Sequence, residues 1–180
     1  MIPSQNPSRR HAGHCLPALR PPERIAEIWV AAWNQRDAGR LAELFVEDAD
    51  FVSVTGLWWH DRAAIRRAHD YGLRTIFDRS TIVLVERRVR GLVGGPDVSP
   101  AAALVHAKME LAGQTAVADV DDPRPRRTIF TFVVRRTDDG WRCVAAQNTD
   151  VAPGAEANVI DDQGRMRSVS YQSGPSPAPN

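Results

Sequence analysis

The stretch Ala103-Leu-Val-His-Ala-Lys-Met-Glu-Leu (residues 103–111) alternates without a break. Val105, Ala107, Met109 and Leu111 fall on one face, and His106, Lys108 and Glu110 on the other. Such a period belongs to a strand with one buried side, because successive side chains leave a pleated backbone in opposite directions. Downstream, Thr128–Val134 is apolar on both faces and predicts a strand in the middle of a sheet. Asp138-Asp-Gly then marks a hairpin turn into a strand over Trp141–Asp150. Upstream, Ile82–Val85 is continuously apolar. Val83, Val85, Val89 and Val93 predict one alternating face that runs to a Gly94-Gly-Pro-Asp turn.

Before residue 80 the period changes. Ile25, Ile28, Trp29, Ala32 and Trp33 recur at the spacing of a single helix face, and Pro21 and Pro22 suit its first turn. Asp37 caps a short second helix that buries Leu41, Leu44 and Phe45. Asp50–Thr55 reads as a strand and Gly56-Leu-Trp-Trp-His as a turn or short strand. Asp61 then caps a third helix carrying Ile65, Ala68, Gly72, Ile76 and Phe77. Three helices followed by long antiparallel strands, without βαβ alternation, predict an α+β domain. That domain is expected over residues 21–159, between a disordered Pro/Ser/Arg-rich leader at 1–20 and a flexible Pro/Ser-rich tail at 160–180.

Bulk composition excludes more than it selects. A chain of 180 residues with 43% hydrophobic and 25% charged content suits one globular domain with a full core. A net charge of +1 offers no field for nucleic acid or an anionic membrane, so neither is an expected partner. Cys15 lies in the leader and Cys143 inside an apolar strand, which argues against a disulfide. No apolar run approaches the ~20 residues that span a bilayer. Arg9-Arg10 is followed by His11-Ala-Gly-His rather than a signal segment, and a cytoplasmic location is expected. His60-Asp61 and His69-Asp70 do not form a metal-ligand spacing, and no Gly-rich nucleotide loop exists; no cofactor is expected.

The order of elements, with Ile28-Trp-Val-Ala-Ala-Trp-Asn-Gln-Arg-Asp and Leu44-Phe-Val-Glu-Asp-Ala-Asp-Phe-Val, resembles the nuclear transport factor 2-like superfamily. That superfamily includes ketosteroid isomerases and polyketide cyclases. Three segments are similar to one branch, the SgcJ/EcaC-type proteins of bacterial natural-product pathways, enediyne polyketide pathways included. They are Phe51-Val-Ser-Val-Thr-Gly-Leu-Trp-Trp, Ala103-Leu-Val-His-Ala-Lys-Met-Glu-Leu-Ala-Gly and Gly140-Trp-Arg-Cys-Val-Ala-Ala-Gln-Asn-Thr-Asp-Val. The resemblance implies a cone-shaped, curved, mixed or antiparallel sheet with three helices, the cystatin-like α+β barrel. Its pocket would lie between the first and third helices and the concave sheet face. A homodimer through the convex face is implied as well.

Steroid-isomerase members carry their general-base carboxylate at the position that is Ser53 here. Their oxyanion donors fall at Trp29 and Thr131. An unactivated hydroxyl is no base near neutral pH, so the resemblance implies a related pocket with altered chemistry. Trp33, Trp58 and Met109 read as pocket walls or as core packing. His60 is a candidate acid or base at the rim, or a loop histidine on a backbone carbonyl. His106 is catalytic if its strand face is concave, and otherwise faces solvent or a second subunit. Gln147 and Asn148 sit near the end of an apolar strand and need partners. The family register turns Gln147 and Thr149 inward and Asn148 outward, with Gln147 orienting a ligand oxygen. The expected function is binding, and cofactor-free conversion, of an apolar polyketide-like intermediate by a cyclase-, isomerase- or oxygenase-like enzyme. The alternative is a non-catalytic carrier or a dimeric interaction domain.

Overall fold

The computed structural model describes residues 21–93 and 100–172. The leader, the Gly94-Gly-Pro-Asp turn and the end of the tail lie outside the described residues. The chain runs α1 (Arg24–Asn34), α2 (Ala38–Ala42), β1 (Phe45–Val52), β2 (Trp58–Trp59), α3 (Arg62–Arg74) and β3 (Thr81–Val93). It continues through β4 (Ala102–Ala112), β5 (Arg126–Thr137), β6 (Gly140–Asp150), β7 (Ala157–Ile160) and β8 (Met166–Val169).

Six strands form one sheet in the order β2-β1-β6-β5-β4-β3, and the β7–β8 hairpin stands as a separate two-stranded sheet. The β1–β6 pair is parallel and the other pairs are antiparallel. The expected cone or barrel is not formed. The two outer strands of the linear order, β2 and β3, do not pair with each other, so the sheet stays open. A barrel hides its apolar face by curling the sheet onto itself. Here helices do that work: Ile25, Trp29, Ala32 and Trp33 of α1 and Ile65 and Leu73 of α3 are buried in one core with the inner-face residues of the sheet. The α+β class and the mixed sheet with three helices hold; the closure does not.

Local chemistry explains most boundaries. The Asp37 carboxylate accepts from Arg40 N at 2.8 Å, and the Asp61 carboxylate accepts from Ala64 N at 2.6 Å, capping α2 and α3. Phe45 opens β1 instead of closing α2, because the preceding Leu44 carbonyl already accepts from Cys143 N at 2.8 Å. α3 stops at Arg74, short of Ile76 and Phe77. The Gly72 carbonyl there accepts from both Thr75 N and Phe77 N, and the Phe77 ring folds back over Gly72, 3.3 Å from where a Cβ would sit. The continuous valine face expected on β3 is broken by a register shift between Leu84 and Glu86. An inserted residue reverses the parity of everything beyond it. Val83 therefore pairs with outward Glu110, whereas Val89 pairs with buried Val105. Among the described residues, no helix is long and apolar enough to cross a membrane.

One side chain ties α1 to the sheet. Asn34 Nδ2 donates to Ile82 O and Asn34 Oδ1 accepts from Ile82 N, each at 2.9 Å. The amide thus behaves as a strand neighbour for the first turn of β3. Asn34→Ala should lose about 2–4 kcal/mol, since both backbone groups of buried Ile82 are left without partners. Urea denaturation measures this; Asn34→Asp, which keeps only an acceptor, should fall between the two.

Candidate functional site

A cavity of about 130 Å³ lies between the open sheet and the two long helices. Trp29, fully buried on α1, is one of the residues that line it. The indole stacks on Phe51 of β1 at 5.8 Å between ring centroids and meets Phe130 and Phe132 of β5 at 5.2 and 5.7 Å. Trp33 lies one turn further along α1 and meets Phe77 at 4.9 Å. Its Nε1 donates to Ser80 Oγ at 3.1 Å, and that hydroxyl donates onward to Phe77 O. The Trp33 indole is therefore satisfied. Trp29 Nε1 is not: it is buried and lacks a hydrogen-bond partner among the described residues. A buried donor in that state carries a desolvation cost of about 1–3 kcal/mol.

Two other lining residues have comparable anomalies. Asn148 of β6 has a buried Oδ1 without a partner, and its Nδ2 reaches only Thr128 Oγ1 at a weak 3.5 Å. Thr128 Oγ1 itself donates to Thr149 O at 2.9 Å, so it can accept from the amide but not donate to it. Reversing the amide would not satisfy Oδ1 there. His69 of α3 has Nδ1 2.8 Å from Ile65 O. A carbonyl only accepts, so Nδ1 carries the proton and the neutral ring has a bare Nε2. The imidazole is wedged edge-on among Trp29, Phe51 and Trp59 at 5.2, 5.1 and 5.7 Å. Burial among these rings pushes the imidazole below its ordinary value of 6.5, against a smaller opposing effect of the Ile65 bond. Arg126 borders the cavity, engaged by Asp150 and by Gln114 Oε1 at 3.2 Å. Cys143 takes no part; burial raises its thiol far above the thiolate range. Among the described residues no group of three or more His, Cys, Asp or Glu side chains could hold a metal ion.

Of the residues singled out in the sequence, Trp29, Trp33, Ser53 and Asn148 line this cavity. The Ser53 hydroxyl is occupied locally, 3.1 Å from Thr55 Oγ1 and accepting from Leu57 N at 3.1 Å. Met109 is fully buried but packs in the core away from the cavity. The expected orientation of the last strand is reversed. Asn148 pairs with buried Phe130 and shares its inner face, while Gln147 and Thr149 are exposed on the outer one. The cause is parity, fixed by the pairing of Phe132 with Ala146. His106, Thr131 and Gln147 do come together, as facing partners across β4, β5 and β6, but on the outer face of the sheet. The same one-residue offset separates Trp58 from Trp59. Trp59 pairs with Phe51 and lines the cavity, whereas Trp58 is 60% exposed and donates to Asp50 Oδ1 at 2.9 Å. His60 Nδ1 lies 3.0 Å from the same oxygen, and its ring rests on Trp58 at 4.5 Å, outside the cavity.

His69, Trp59, Phe51 and Thr128 escaped the sequence reading. For His69 a signal existed: it stands four residues after Ile65 and four before Leu73, on the buried side of α3. That environment has a pH signature. Between the lowered folded value and 6.5 the unfolded chain binds more protons than the folded one. The His69 contribution is therefore complete above about pH 6.5 and is lost as the pH falls toward the folded value. The difference in urea midpoint between the wild type and His69→Phe should be independent of pH above pH 7. Below pH 6.5 the wild type should lose stability relative to the variant.

The chain matches the SnoaL-like domain over residues 23–148, from the start of α1 to Asn148. No curated protein matches it. Among solved structures it is similar to an uncharacterized protein with a cystatin-like fold from Caulobacter vibrioides, at 26% identity and a TM-score of 0.62, covering 72% of this chain and 86% of that one. A ketosteroid isomerase-like protein from Erwinia carotovora atroseptica shares 14% identity at a TM-score of 0.54, covering 73% and 95% of the two chains. A candidate scytalone dehydratase from Novosphingobium aromaticivorans shares 17% at 0.58, covering 72% and 81%. Identities this low speak for the fold alone. The matched segment carries nearly all of the elements that enclose the cavity, and the chain belongs to the SnoaL-like domain family.

Proposed function

We propose that this protein binds and converts a small, apolar, oxygen-bearing molecule of polyketide type in a bacterial natural-product pathway. The observation that carries the reading is an aromatic cavity whose lining residues leave a donor, Trp29 Nε1, and an acceptor, Asn148 Oδ1, buried without partners. Native proteins rarely retain such atoms unless a ligand or water completes them. An apolar cavity of roughly 150 Å³ holds a benzene ring. At about 130 Å³ this partly open cavity encloses about one ring, so that a second ring or a longer chain extends from it toward solvent. The SgcJ/EcaC-type resemblance of residues 51–59, 103–113 and 140–151 supports the polyketide class.

A carrier without catalysis is the second reading, favoured by the Ser53 hydroxyl being held in its own turn. A guest recovered unchanged after long incubation would select it. A homodimer remains part of the proposal: among the described residues no helix covers the outer face, where Glu110 pairs with Arg127 at 2.9 Å beside Lys108 and His106. Sedimentation at micromolar concentration should give a dimer, and a monomer would remove that element.

Calorimetric titration of the full chain with 2-tetralone, a two-ring ketone, tests the binding site. Ala68→Trp, which fills the cavity from α3, should weaken binding at least tenfold, while Gln147→Ala and His106→Ala on the outer face should leave it unchanged. The opposite pattern would move the site to the outer face. Asn148→Leu should stabilise the empty protein by about 1 kcal/mol, because it removes a buried unpaired oxygen at similar volume, and should weaken the binding of hydroxylated guests.

A further inference from the structure

Several histidines compete for a chemical role. His60 is exposed and shares Asp50 with Trp58, and His106 stands on the outer face of the sheet. Neither borders an enclosed volume. His69 does, and three features set it apart. Its ring lies in the cavity wall with Trp29, so both border the same guest space. The Ile65 carbonyl locks the proton on Nδ1, which fixes the tautomer and the ring orientation. Nε2 has no hydrogen-bond partner among the described residues and keeps its lone pair.

We infer that His69 Nε2 is the proton acceptor of this cavity, acting on the carbon beside the carbonyl of a cyclic ketone or enol whose oxygen is held by Trp29 Nε1–H. The inference rests on the binding reading above. In the step, the guest C–H bond breaks and an N–H bond forms at Nε2. The C–H electron pair becomes the C=C bond of an enolate, and the carbonyl π pair moves to oxygen. The imidazolium then returns the proton to the same carbon, giving exchange, or to a conjugated carbon, giving isomerisation. No oxidant, reductant or co-reactant is consumed. Donor and acceptor sit on neighbouring rings in the cavity wall, in edge-to-face contact at 5.2 Å between centroids. Burial keeps the ring neutral at pH 7 and so keeps the base available. The charged group bordering the cavity among the described residues is Arg126, neutralised by Asp150 at its edge. A neutral guest matches that balance.

The test uses the full chain, 2-tetralone and D₂O, with loss of the α-proton signals followed by NMR and affinity measured by calorimetry. Wild type should accelerate exchange, with a rate that falls on acidification through an apparent pKa below 6.5. His69→Asn, whose amide can still donate to Ile65 O but lacks Nε2, should bind the ketone within about twofold. Its exchange rate should fall about 10²–10⁴-fold, the usual contribution of a positioned base. Exchange at the wild-type rate in His69→Asn, or tight binding by wild type without exchange above buffer, would overturn the inference and leave the binding reading standing. Absence of ketone binding by wild type would remove both. If the variant does not fold, ¹⁵N NMR of wild-type His69 decides: the Nδ1–H tautomer is expected, and the Nε2–H tautomer overturns the assignment.

Discussion

An open sheet has one apolar face that must be covered, and in this protein the cover converges on a single indole. Trp29 meets Phe45, Phe51, Phe130 and Phe132 on two strands and His69 on the other long helix, all within 6.2 Å between ring centroids. A flat aromatic group of that size excludes water from α1, β1, β5 and α3 at once. Because rigid rings cannot fill every corner between a helix pair and a sheet, the same cluster leaves the cavity beside it. Core and site are therefore one feature. The Asn34 clasp sets where that cluster lands, since it fixes the end of α1 against the start of β3.

The polar groups around the cavity make sense as the cost of a waiting site. Elsewhere in the interior Trp33 reaches Ser80 and Asn34 clasps the Ile82 backbone, with Arg40 Nε the exception among the described residues. At the cavity Trp29 Nε1 and Asn148 Oδ1 remain buried and unpaired. His69 adds a base whose tautomer is chosen by a helix carbonyl rather than by a carboxylate partner. The Ser53 hydroxyl serves the 53–57 turn.

Much of the scaffold is legible from periodicity. The buried stripe of α1, the caps Asp37 and Asp61, the alternation of β4 and the interior place of β5 each follow from one local pattern. What sequence could not supply was parity and closure. A strand inverts every assignment with a slip of one residue, and that is why Trp58 stood in for Trp59 and Gln147 for Asn148. The bulge after Leu84 did the same to the valines of β3. The barrel was a family expectation with no residue behind it, and the linear strand order replaces it. The β7–β8 hairpin went unassigned because its strands are short and largely exposed, leaving no buried face to generate a pattern. His69 was visible as a lone imidazole on a buried helix side; its tautomer needed coordinates.

The central claim is that a guest occupies the cavity whose wall Trp29 and His69 share. Intermolecular nuclear Overhauser effects between bound 2-tetralone and the protein measure this directly. The account predicts contacts to the Trp29 indole, the His69 imidazole and Phe130, with none to His106, Thr131 or Gln147. Contacts to that outer-face row, with silence from Trp29 and His69, would contradict it.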